Sequence, residues 1–187
     1  GLAALLELGI IGGDNNVEEA RQQLISKIGE NINIRRFTIM NGQGDHTGAY
    51  VHGGRIGVLA DIAGGDADLA RDIAMHVAAS RPVCVAEADV SQEMLDKEKA
   101  IFVAQAEESG KPAEIIEKMI GGRLKKFLAE NSLIEQAFVK EPEVTVGKLV
   151  SSAGAEVVSF ERFEVGEGIE VETMDFAAEV AAQLSGT

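Results

Sequence analysis

The sequence predicts an α+β fold. Helical stripes, with apolar residues recurring at intervals of three and four, occupy several separate stretches. Strand-like stretches are found around 51–62 and 156–165. These elements are segregated and do not alternate as the βαβ units of a doubly wound sheet require. With 187 residues, 45% of them hydrophobic, the chain can bury a core as one domain or a few small ones.

Leu2 to Ile11 reads as an amphipathic helix ended by Gly12 and Gly13. The chain opens inside this apolar run at Gly1, a pattern expected of a processed or truncated protein. Asn15 or Asn16 caps the next helix, and Glu18 and Glu19 suit the positive end of its dipole. Ala20, Leu24 and Ile28 share one face, and Gly29 supplies the stop. Beyond it, Ile32 and Ile34 alternate with asparagine and share one face of an extended segment leading to Arg35 and Arg36.

Val51 to Ile62 reads as a strand region, with Ile56, Val58, Ala60 and Ile62 alternating behind glycines that provide a bend or bulge. Gly64 and Gly65 turn the chain, Asp66 caps a helix whose apolar face is Leu69, Ile73 and Val77, and Arg81-Pro82 closes it. Ser91 opens a charged helix through about Glu108. Ser109-Gly110 turns the chain, and Pro112 stands at a first helical turn. Ile115, Ile116, Met119, Ile120, Leu124, Phe127 and Leu128 then form a second stripe. Two such helices across a short turn predict an antiparallel helical hairpin. Gly121 and Gly122 weaken the second helix by about 1 kcal/mol each relative to alanine, and mark either flexibility or a close approach. Glu156 to Val165 reads as a strand, and Thr173 caps a last helix presenting Phe176, Val180 and Leu184.

The charge balance narrows the function. A net charge of -14 repels phosphate-rich partners over most of the surface and favours a protein partner with basic patches. Aromatics are 4% with no Trp, which argues against base-stacking platforms. The single cysteine, Cys84, excludes an internal disulfide and points to a reducing, cytoplasmic compartment. No apolar run reaches the length of about 18 residues that a membrane helix needs, and no signal peptide pattern is present.

Chemistry-bearing clusters are few. Asp45-His46 with His52 matches no zinc spacing, and His76, three residues after Ile73, reads as a partly buried structural histidine. Cys84 has no base or orienting group near it in sequence and reads as one buried thiol. Glu161, Glu164, Glu167, Glu170 and Glu172 form a charge run, the composition of a solvated face and not of a hydrolase pair. "GGDADLA" and "GEGIE" are glycine-containing turns without phosphate-loop order. By its residues the chain is expected to be a binding protein and not an enzyme, with no metal or cofactor.

Five blocks add a resemblance. "KIGENINIRR" (27–36), "GAYVHGGRIGVL" (48–59), "IAMHVAASRP" (73–82), "SGKPAEIIEKMIGGRLKKF" (109–127) and "RFEVGEGIEVETMDFAAEVAAQ" (162–183) resemble the bacterial elongation factor Ts family, in its order and spacing, from about residue 17 to the end. That family is the guanine nucleotide exchange factor for elongation factor Tu. The resemblance implies two related α+β subdomains with small antiparallel sheets, a projecting coiled-coil hairpin and a C-terminal helical module. Here these fall at 1–44 for the remainder of the N-terminal core subdomain, 45–84 plus 134–168 for the second, 85–133 for the hairpin and 169–187 for the module.

The resemblance also implies contact residues. The Ile-Gly of the first block, Ile28 and Gly29, touches elongation factor Tu, although Ile28 is equally suited to a core. The histidine of the "YVHG" block, His52, lies at the interface with the nucleotide-binding domain, against its alternative as an ordinary loop residue. The pair after Phe in "AFVKEP", Val139 and Lys140, contacts another domain of the GTPase, and Lys140 departs from the apolar residue expected there. Phe176 and Val180 carry the docking face of the C-terminal module, or pack on this chain's own core. The family's N-terminal helical domain and its "T-D-F-V" segment have no counterpart here, so the resemblance implies the C-terminal two-thirds or so of the family protein. Exchange activity is the implied function, and a docking or scaffold fragment that binds elongation factor Tu within a larger assembly is the alternative.

Overall fold

The computed structural model describes residues 1–169 apart from 109. The predicted helix after Thr173, with Phe176 and Val180, lies outside the described residues. The chain divides into two compact units, Gly1–Asn41 and a second beginning at Gly42.

The first unit holds α1 (Leu2–Leu6) and α2 (Val17–Ile28). α1 stops at Leu6 and does not run to Ile11 as the apolar pattern predicts. The backbone beyond it is spent on a turn instead: Ile10 N donates to Asn15 O at 3.0 Å, and Gly13 N donates to Ile10 O at 3.0 Å. α2 starts at Asn16 with reciprocal capping. Glu19 N donates to Asn16 Oδ1 at 2.8 Å, and Asn16 N donates to Glu19 Oε2 at 3.0 Å. It ends at Gly29, whose φ of 80° is a left-handed conformation that a side chain disfavours. Arg21 ties the following segment back, donating to Ile32 O at 2.8 Å while its other nitrogens grip Glu18. Ile32 and Ile34 are half-buried and Asn31 and Asn33 exposed, the predicted alternation, but among the described residues no strand pairs with them.

The second unit runs β1 (His46–His52), β2 (Ile56–Ala63), α3 (Ala67–Ser80), α4 (Gln92–Glu107), α5 (Ala113–Asn131), β3 (Ala137–Phe138), β4 (Glu141–Thr145), α6 (Val146–Ser152) and β5 (Glu156–Glu164). Among the described residues of the whole chain this makes six α-helices and two small antiparallel sheets, one ordered β1-β2-β5 and one pairing β3 with β4. The predicted single strand region is in fact a hairpin, with His52 opposite Ile56 across the Gly53-Gly54 turn. β1 hides from the period because three positions on its α3-facing side are Gly48, Tyr50 and His52, not aliphatic residues. β3, β4 and α6 escape it because they are too short to display one.

α3 covers one face of the larger sheet. Ala70, Ile73, Ala74 and Val77 bury completely with Ala60 and Ile62 of β2. The helix approaches β1 so closely that a Cβ on Gly48 would lie 2.2 Å from the backbone of Ala70. The start of the unit is pinned to the same sheet. The buried carboxylate of Asp61 accepts hydrogen bonds from Gln43 N at 2.7 Å and Gly44 N at 2.9 Å. The Gly44 hydrogen bond foremost holds its carboxyl below the usual carboxylate value.

α4 and α5 follow each other across a short turn and touch. Arg123 of α5 donates to Gln105 Oε1 at 2.6 Å and lies 5.8 Å from the ring centroid of Phe102. The predicted stripe from Ile116 to Leu128 is half-buried, while Ile115 is exposed. A Cβ at Gly121 or Gly122 would meet nothing within 4 Å, so no close approach among the described residues explains that pair.

Candidate functional site

A groove of about 460 Å³ opens on the second unit. Tyr50, His52 and Ile56 line it from the sheet, Met75, Ala78 and Ala79 from α3, and Val139 and Lys140 from the turn between β3 and β4. Arg81, the left-handed cap of α3 with φ 50°, completes the rim. Three residues named from two distant sequence blocks, His52, Val139 and Lys140, thus share one concave surface.

Each is placed by its own element. His52 ends β1 on the side facing α3. Its ring stacks on Tyr50 at 6.1 Å, and its Nδ1 lies 3.3 Å from the Tyr50 hydroxyl. Val139 is 43% exposed, an apolar side chain offered to solvent. Lys140 is half-exposed and paired with Asp72 of α3 at 2.5 Å. Where the resemblance implies an apolar residue, the groove thus has a lysine whose ammonium is bound to Asp72 of α3.

Beneath Val139 lies His76, completely buried in α3 and not partly buried as its position in sequence suggests. Val139 N–H donates to His76 Nδ1 at 3.2 Å. A backbone N–H only donates, so Nδ1 is the acceptor and the ring proton sits on Nε2. Nε2–H then donates to Gln136 Oε1 at 2.9 Å, and Gln136 Nε2 donates to Glu130 O in the last turn of α5 at 2.7 Å. Burial pushes the imidazole below its ordinary value, opposed by the Gln136 hydrogen bond, so the ring is neutral near pH 7. The separation of 63 positions between His76 and Val139 leaves no sequence signal for this contact.

Ile28 and Gly29 belong to the first unit. Ile28 is 53% exposed at the end of α2, which removes it from the buried core of the described residues. Gly29 follows in the open, with its N–H donated to Ile25 O at 2.8 Å.

His46 and His52 stand at opposite ends of β1, about 20 Å apart along an extended strand. Cys84 is half-buried, not fully buried as expected, and its Sγ–H donates to Ala86 O at 3.1 Å. Burial, with Asp89 and Glu87 nearby, pushes the thiol up and away from nucleophilic character. Glu164 departs from the predicted solvated charge run: Arg162 and Arg81 each reach it at 2.7 Å, and chiefly the Arg162 hydrogen bond holds its carboxyl low. Glu170 and Glu172 lie outside the described residues.

A sequence model described as "Elongation factor TS" matches residues 2–167. The chain is 60% identical over 172 residues to "Elongation factor Ts" of Thioalkalivibrio sulfidiphilus, covering 91% of this chain and 59% of that protein. It is 59% identical over 186 residues to "Elongation factor Ts" of Hahella chejuensis, covering 99% and 62%. The counterpart from Alcanivorax borkumensis is 58% identical over 185 residues, covering 99% and 64%. The chain thus spans about three fifths of the length of these curated relatives.

Proposed function

Because this chain belongs to the elongation factor Ts family, we propose that it binds elongation factor Tu and promotes release of GDP from it. The observation that carries this reading is the shared groove of His52, Val139 and Lys140. The groove offers an apolar wall, a stacked imidazole and a cationic edge, a chemistry suited to a protein surface and not to a reacting small molecule.

An exchange factor works through linkage. It binds the nucleotide-free GTPase more tightly than the nucleotide-bound form, and nucleotide must then bind the complex more weakly by the same factor. Physically, GDP loses charge-assisted hydrogen bonds when its phosphate and magnesium site is disturbed. In this reading each unit supplies its own contact. Ile28 and Gly29 present an apolar knob and helix-end carbonyls to the nucleotide domain of the GTPase, and His52 presses on the same domain. Val139 and Lys140 engage a second domain. The acidic surface favours basic patches on the partner.

The finer organisation belongs to the same proposal. α4 and α5, within 85–133, act as a coiled-coil hairpin that adds affinity. Residues 1–44, and 45–84 with 134–168, form two related core subdomains. Residues 169–187 dock through Phe176 and Val180, and the chain works in the cytoplasm.

The test is release of fluorescent GDP from elongation factor Tu titrated with this chain. Acceleration, reduced by His52→Ala, is the expected result. Complex formation on a sizing column without acceleration replaces exchange by docking alone. Neither acceleration nor complex overturns the proposal for this chain.

A further inference from the structure

We infer that His76 is the positioning residue of the groove: its buried imidazole fixes the Val139–Lys140 turn at the height and angle at which it meets a partner. This rests on the reading of the groove as a partner surface.

The turn has little of its own to hold it. β3 is two residues long, and its register with β4 shifts between Ala137 and Phe138. A two-stranded ribbon of this size is marginal in water and needs external support. Support comes from α3 at two points. Asp72 holds the Lys140 ammonium at the surface, where an exposed ion pair contributes little. His76, one turn further along the same helix, holds the Val139 backbone from inside, where an unpaired N–H is costly.

Two more contacts make the imidazole a joint and not a simple peg. Its ring lies 5.9 Å from that of Phe138, which is itself buried. Through Gln136 it also reaches the carbonyl of Glu130, at the end of α5. One side chain therefore connects the helix that walls the groove, the turn that caps it and the base of the α4–α5 pair. Both ring nitrogens are used, and the two roles together require the neutral tautomer with the proton on Nε2. Met75, Ala78 and Ala79, its neighbours on α3, line the groove itself. A shift of the turn relative to this helix would change the groove's width directly.

The test compares His76→Leu, which fills the volume without polar atoms, with His76→Asn, whose side-chain oxygen stands close to the place of Nδ1. Ile62→Ala serves as a stability control, because Ile62 is core at the end of β2 remote from the groove. Amide hydrogen exchange at Val139 and the Kd for nucleotide-free elongation factor Tu are measured for each. His76→Leu is expected to speed Val139 exchange and weaken binding, each by about tenfold, as befits one lost buried hydrogen bond. His76→Asn is expected to recover most of both, while Ile62→Ala loses thermal stability and keeps its Kd. The inference is overturned if Val139 stays protected in His76→Leu, or if Ile62→Ala weakens binding as much as His76→Leu. If the wild-type chain does not bind at all, the reading of the groove fails, and Val139 exchange alone then decides whether His76 holds the turn.

Discussion

His76 shows how much one side chain can carry when both of its polar atoms are committed. Its tautomer follows from geometry, because Nδ1 faces a group that can only donate. A long-range ¹H–¹⁵N spectrum should accordingly show the Nε2–H form, and an Nδ1–H signal would contradict the structure. The sign of its pH effect also follows. The ordinary value is 6.5, and burial lowers it in the folded protein. Above that value neither state binds the proton, so the contribution to stability is complete. As pH falls below it, the unfolded chain takes up a proton that the folded chain resists, and stability declines towards the folded value. Urea midpoints between pH 7.5 and 5.5 should fall for the wild type and fall less for His76→Leu. Equal slopes would assign the loss to other groups. Asp61 acts in the lower window. Its folded value is depressed, so its contribution is present above about pH 4 and drains as pH falls further.

At the scale of elements, local chemistry and tertiary fit can be separated by substitution. The Asn16 cap is local, and Asn16→Ala should cost about 1 kcal/mol, read from the thermal unfolding of α2 by circular dichroism. Gly48 is a matter of fit. A side chain there drives into the backbone of Ala70, so α3 must lift from β1. Gly48→Val should cost about 3 kcal/mol, at the upper end for overpacking, in spite of the better strand propensity of valine. A neutral result in urea unfolding would mean that the helix and strand are not in that contact. The two sites also differ in legibility. Gly29, Asp66 and Ser91 are readable as helix ends, and the start of α2 as Asn15 or Asn16, because capping is settled within four residues. Gly48 carries no such local signal, since nothing nearby in sequence reveals the helix that will rest on it.

Across the whole molecule, burial is uneven. No residue of α1 or α2 is buried, whereas six of α3 are. Amide protection tracks buried contacts, so Val17–Ile28 should exchange at least about tenfold faster than Ala67–Ser80. Comparable protection in the isolated chain would show that the first unit is held by more than its own contacts. The exposed Leu24 and Ile28 belong to the less buried unit, while His52 and Val139 project from the densely packed one.

The sequence by itself determined the α+β class, the limits of most helices and the apolar face of α3. Each of these depends on a period of a few residues or on a cap next to it. It did not determine the extent of α1, the β1–β2 hairpin, or the short β3, β4 and α6, where turns, glycines and brevity erase the period. Of the groove, His52, Val139 and Lys140 were legible through the resemblance alone. That they share a surface, and that His76 stands behind it, was decided by the tertiary structure. Closing a contact across 63 residues depends on how the sheet and α3 pack, and no local pattern encodes that distance.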